Sequence, residues 1–213
     1  MRAKMVERWR SLLERLGAKG NPDQHYHQLA YYYMRPRRHY HNLGHIADCL
    51  DEFEGAKNLA PHPDEVRLAI WFHDAIYETW AKDNEYQSGQ LANFFITHLM
   101  GLPLVLGAKV LHLVIATKHN ISPEKLGWDA RILVDVDLSS LGASSEQFAV
   151  NCKNLRNEHH WVELESYCRE TINTLEGFLK RDSIYCTPYF RNKYEVRARL
   201  NLETEIKRLR TAL

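Results

Sequence analysis

Twelve histidines stand in this chain of 213 residues, and four short segments hold histidines or carboxylates in settings that could do chemistry. YHNLGHIAD, from Tyr40 to Asp48, spaces His41 and His45 four apart, which on a helix stacks both on one face. WFHDAIY puts His73 next to Asp74 after an apolar run, and ILVDVDL sets Asp135 and Asp137 inside another. IATKHN ends an apolar helix at His119. Each segment alone has a plainer reading, as a core or capping histidine or as a capping aspartate. Their co-occurrence points further, because a buried carboxylate without a partner is costly and a bound cation relieves the cost. Two imidazoles and two carboxylates drawn from three helices make a mixed N/O site. Such a site suits one divalent ion among Mn, Fe, Zn, Co, Ni and Mg. Open coordination positions would hold water and lower its pKa toward a usable nucleophile.

The ordered pattern His…His-Asp…Asp on helices resembles the HD superfamily of metal-dependent phosphohydrolases. The resemblance implies His45, His73, Asp74 and Asp137 as metal ligands, with Asp74 also catalytic. Asp137 is preferred because Leu138 follows it closely, as is usual for the family's last Asp, and Asp135 is the alternative. YHNLGHIAD is also similar to the YHNxxHAxD segment of the eukaryotic cyclic-nucleotide phosphodiesterases. That likeness implies His45 as the ligand and His41 as the general acid. The HD likeness spans roughly 40–140. RHYHNLGHI, FHDAIY, DNEYQS, ATKH, DVDLSSLG and the C-terminal IY…YEVRARLNLETEI extend it toward a bacterial group of HD-type phosphohydrolases. No HHExxDGxGYP segment is present, so the cyclic-di-GMP-cleaving branch is not implied. No further His follows His73-Asp74 at the spacing of the dinuclear HD oxygenases. The purine-selecting glutamine of the phosphodiesterases has no counterpart here.

The expected function is therefore metal-dependent hydrolysis of a phosphate ester, with a nucleotide or another small phosphorylated metabolite as substrate. An HD-type iron-dependent oxygenase and a non-enzymatic ligand-binding module with a structural metal are the alternatives. Further residues are weighed around that site. Arg35, Arg37 and Arg38 precede His41, and Arg38 is the best placed to clamp a phosphate at a pocket mouth. The alternative is a solvated basic turn. Lys118 and His119 are candidates to face the site and bind substrate. Glu85 is a candidate to orient water or a ligand histidine, or simply a favourable acid at a helix N-terminus. Arg197 and Arg199 read as surface or ion-pair residues. Trp71, Phe72 and Trp80 flank the metal motif and read as core, with stacking of one of them on a base as the alternative.

The elements that must position these groups are helices. Gly and Pro together number only 17, and Leu outnumbers Val plus Ile by 27 to 20, which favours helix over strand. Met5, Trp9, Leu12, Leu13 and Leu16 recur at helical spacing until Gly17, Gly20 and Pro22 stop them. Further helices are expected over 23–34, from Asn42 to about Ala60, from Pro63 through Ile76, over 83–100, and from Pro103 through Ile115. The ambiguous stretch 130–142 is read as a short buried helix because no partner strand is in view. A helix to about 158 follows the cap at Ser144 and Ser145, and two more cover 162–181 and 188–212. With no repeat and no linker, the expectation is one all-α domain over 1–213, an HD-type helical bundle. Its metal-site core would lie at about 40–140, with the helices of 144–212 packed on it.

Lys plus Arg (28) nearly balances Asp plus Glu (27). That argues against a nucleic-acid polymer or an anionic membrane as the main partner. The charged N-terminus does not read as a signal peptide. Four widely spaced cysteines without a CxxC pair read as reduced thiols, and cytoplasmic residence is expected.

Overall fold

A computed structural model describes residues 2–119 and 123–213. It bears out the all-helical expectation: the regular elements among the described residues are ten α-helices joined by short 3-10 and π turns. They are α1 (Arg2–Leu16), α2 (Pro22–Tyr33), α3 (Leu43–Ala56), α4 (Pro63–Phe72), α5 (Asn84–Phe94), α6 (Leu104–Ala116), α7 (Trp128–Asp137), α8 (Ser145–Glu158), α9 (Leu164–Leu179) and α10 (Pro188–Arg210). Among the described residues, no helix is long and apolar enough to cross a membrane. The chain divides into two compact units, Met1–Leu133 and Val134–Leu213. The division falls inside α7, where no linker composition marks it.

In the first unit the helix starts follow local chemistry. Asn21 caps α2 by accepting from the Asp23 and Gln24 N–H groups, and Pro22 fills the first turn, where no N–H partner is needed. Asn42 caps α3 by accepting from Gly44 N at 2.7 Å. Pro63 opens α4 with Asp64 and Glu65 in the first turn, where acids suit the helix dipole. Trp9, Leu12 and Leu13 of α1 are buried. Trp9 meets Trp71 of α4 edge-on at 5.2 Å between ring centres. Burying each such side chain stabilises the fold by about 1.5–3 kcal/mol. α5 and α6 pack closely because Gly89 has no side chain; a Cβ there would stand 3.1 Å from the Leu111 carbonyl oxygen. α5 then widens into a π turn over Phe95–Leu99.

In the second unit the end of α7 runs into a 3-10 turn over Leu138–Gly142. The polar residues of the C-terminal motif hold the main chain there. Glu195 accepts from Ile184 N at 3.0 Å and Ser183 Oγ at 2.9 Å. Arg199 pairs with Glu195 at 2.7 Å and donates to the carbonyls of Leu179 and Arg181. Arg197 donates to Gly142 O, and Asn201 donates to Leu141 O and Ala143 O. These bonds fix the segment 181–187 and the turn after α7. Leu200 of α10 is exposed, as are Leu104 on α6 and Phe94 on α5. Periodicity marks one helix face but does not exclude an apolar residue from the other.

Candidate metal centre

The centre is built on the start of α3 and the end of α4. His45 lies in the first turn of α3, and Cys49 follows one turn later. His73 is the C-cap of α4, its N–H bonded to Ala69 O, and Asp74 comes next. His73 Nδ1 lies 2.9 Å from Ile70 O. A carbonyl can only accept, so Nδ1 carries the hydrogen and Nε2 presents a lone pair. That Nε2 stands 3.2 Å from His45 Nε2 and 3.0 Å from Asp74 Oδ2. Asp74 Oδ2 is 3.4 Å from His45 Nε2. The Asp74 oxygen is buried and accepts no hydrogen bond.

Electron-rich atoms so arranged call for a positive centre between them. His45 Nε2, His73 Nε2 and Asp74 Oδ2, 3.0–3.4 Å from one another, would hold a cation through two nitrogens and one oxygen. The residues therefore fit a divalent metal. Burial pushes the Asp74 carboxyl upward, but positive charge on the imidazoles of His73, His41 and His45 outweighs it and holds the carboxyl well below the usual range; a divalent ion would supply that charge with the imidazoles neutral. The ion-ready state of the site thus includes a carboxylate.

His45, Cys49 and His73 are buried and offer ligand atoms that all lie within 4.8 Å of one another, a group that could hold a metal ion. In the sequence Cys49 reads as one of four reduced thiols. Its i+4 spacing from His45 was the signal available. Cys49 Sγ is 3.7 and 3.8 Å from the two ring nitrogens of His45. Near-equal distances put the sulfur beside the ring, not in line with either lone pair.

His41 departs from the expected placement. It was expected to share a helix face with His45, but α3 begins only at Leu43, behind the Asn42 cap. Asn42 also donates to Arg38 O and His39 O, so the residues before it form a turn. His41 still comes close: its ring centre is 6.0 Å from that of His45. The ring stacks on Tyr77 at 3.9 Å with 27° between planes.

Arg38 was expected at a pocket mouth and is instead buried. Its guanidinium donates to His41 O at 2.9 Å, Asp74 O at 2.7 Å and Ala75 O at 2.8 Å. It thereby fastens the turn of His41 to the turn of Asp74. Arg35 forms an exposed pair with Glu78 at 2.8 Å, and Arg37 is exposed. Lys118 is exposed and donates to Lys82 O at 2.7 Å. His119 follows α6 in the left-handed region, φ +56°, an uncommon state for a residue with a side chain. Asn120, the last residue of that motif, lies outside the described residues. Glu85 occupies the first turn of α5. Trp71 and Phe72 are core as expected, whereas Trp80 is 59% exposed. At a separate surface position His62 Nδ1 meets Asp129 Oδ2 at 2.8 Å. Glu65 beside it is taken up by Lys109 at 2.8 Å.

In the second unit the two candidate aspartates of α7 differ. Asp135 is fully buried. Its Oδ1 accepts from Cys186 N at 2.6 Å, and its Oδ2 accepts from Thr187 N and Thr187 Oγ1, both at 2.7 Å. Burial pushes its pKa up to about 6 against these bonds. Both oxygens thus serve the start of α10, whose N-cap is Thr187. Asp137 is the last residue of α7 and is half-buried.

No family model, no curated protein and no solved structure matches the chain.

Proposed function

We propose that the protein is a metal-dependent hydrolase of phosphate esters, of the kind the HD resemblance implies. The carrying observation is the convergence of His45 Nε2, His73 Nε2 and the unbonded Asp74 Oδ2 at 3.0–3.4 Å. Asp137 is the proposed remaining ligand. The engagement of both Asp135 oxygens by Cys186 and Thr187 supports choosing Asp137 over its neighbour. A bound divalent ion would polarise a phosphoryl oxygen and supply a water of lowered pKa.

The chain's own groups then divide the work. His73, its tautomer set by Ile70 O, and His45 would hold the ion with neutral nitrogens. Asp74 adds the negative charge that favours a cation. His41 lies near the ligands without belonging to the N/N/O set, which supports the proposal that it protonates a leaving oxygen. A small phosphorylated metabolite, a nucleotide among them, is the proposed substrate.

The test begins with protein purified without chelator and supplied with Mn, Fe, Co, Ni, Zn or Mg. About one ion per chain is expected, together with hydrolysis of at least one phosphate ester in a panel of nucleotides, sugar phosphates and phosphodiesters. The double change His73→Ala with Asp74→Ala should abolish both. His45→Ala should lower metal content and activity together. His41→Ala should keep the metal and lose a factor of ~10²–10⁴ in turnover. Wild-type protein that stays metal-free under every supply would refute the reading.

A further inference from the structure

His41, as a general acid, needs its ring plane held. The residue precedes α3, so no helix backbone constrains it, and the χ2 torsion of an imidazole is broad. Tyr40 meets this ring edge-on, at 4.9 Å between centres. Three observations meet at this ring. Tyr77 lies flat against it, with 3.9 Å between centres and 27° between planes. Arg38 lies 5.5 Å from the Tyr77 ring centre and 5.6 Å from that of Tyr33, between two aromatic faces. The same guanidinium holds the carbonyls of His41, Asp74 and Ala75. The backbones on either side of the stack, at His41 and just before Tyr77, are thus joined through one buried cation.

We propose that Tyr77, backed by Arg38, is the positioning residue that sets the ring plane of His41 for proton transfer. The inference rests on the assignment of His41 as general acid. The role assigned to Tyr77 is exercised through its ring face, so the aromatic ring is what the test removes. Arg38 is assigned to the same framework, which separates it from a phosphate clamp. A clamp lost would raise KM, whereas a framework lost would lower kcat at nearly constant KM.

The experiment compares Tyr77→Leu and Tyr77→Phe with wild type, each metal-loaded, on one phosphate ester carrying an alkyl and one carrying a p-nitrophenyl leaving group. Tyr77→Leu should keep wild-type metal content and lose about tenfold or more in kcat on the alkyl ester. It should lose little on the p-nitrophenyl ester, which needs no proton. Tyr77→Phe should stay within about twofold on both. In the His41→Ala background Tyr77→Leu should cost nothing further, because residues acting as one unit are not additive. A second readout needs no turnover: the His41 Hε1 proton resonance, identified by its loss in His41→Gln, should move in Tyr77→Leu and hold its place in Tyr77→Phe. An unmoved resonance in Tyr77→Leu, an equal loss on both esters, or an additive double variant overturns the proposal. Wild-type protein inactive on every ester overturns the phosphohydrolase reading itself, and the positioning role with it. That failure is distinct from one in which the wild type works and Tyr77→Leu behaves like it.

Discussion

Replacing Asp135 with alanine tests whether its carboxylate is an architectural acceptor. The change removes the acceptor for three donors at 2.6–2.7 Å. The Thr187 hydroxyl can rotate to another acceptor, but the N–H groups of Cys186 and Thr187 cannot. Two buried N–H groups left unpaired cost about 1–3 kcal/mol each, about 2–6 kcal/mol together. Part of this is offset, because the wild type holds a carboxyl that burial has pushed from 3.8 to about 6. At ~1.4 kcal/mol per pKa unit, holding it ionised at neutral pH costs about 3 kcal/mol. The small cavity left by the side chain adds about 1 kcal/mol to the loss. The net expectation is a destabilisation of about 2 kcal/mol at pH 7.5. Asp135→Asn, which keeps one acceptor, should fall within about 1 kcal/mol of wild type. Urea unfolding followed by far-ultraviolet circular dichroism measures both, with equal slopes required before midpoints are compared. Asp135→Ala as stable as wild type, or Asp135→Asn worse than Asp135→Ala, would refute the reasoning.

Three further outcomes are expected. Asp137→Asn should lower metal content, measured by atomic emission after gel filtration, while Asp135→Asn should leave it near wild type. Burial, with Glu205 adding to it, pushes the Cys152 thiol up to about 12 from 9.0. The neutral thiol therefore contributes stability that is full below pH 9 and lost as pH rises through about 12, so Cys152 in the folded chain should react with a disulfide reagent at pH 8.5 at least tenfold more slowly than in the unfolded chain. Gly142→Ala would bring a Cβ to 2.7 Å from Tyr194 Cβ; a loss of about 1–3 kcal/mol is expected, and unchanged thermal stability would contradict the packing described.

The helices were legible because their signals are local. Asn42 and Ser144 cap where short polar residues should, and Pro63 and Pro188 open helices. The stretch 130–142, ambiguous between strand and helix, resolved as α7 and a 3-10 turn. The His41 placement shows the limit. Asn42 was read as the start of a helix, yet His41 was counted as if the helix had begun earlier. The cap residue itself was the evidence against that. His45, His73 and Asp74 were legible because the chemistry needs those types and the pattern sets them at helix ends. Asp135 and Asp137 could not be separated by pattern, since both sit in one apolar run. What distinguishes Asp135 is a pair of N–H groups more than fifty residues away. Arg38 likewise looks like any basic residue in a turn until three carbonyls are seen around it. Long-range main-chain partners leave no periodicity and no spacing to read.

The bonds of Asp135 also set an order of events on the ribosome. The donors that satisfy it at Cys186 and Thr187 are 51 and 52 residues downstream. At about 5–20 residues per second, roughly 3–10 s pass between synthesis of the carboxylate and synthesis of its partners. During that interval burying Asp135 would mean stranding a charge or protonating the carboxyl, a cost that hydration avoids. The second unit is thereby kept from closing until the start of α10 has emerged, and a chain stalled before Thr187 would present an open α7 end to chaperones and proteases.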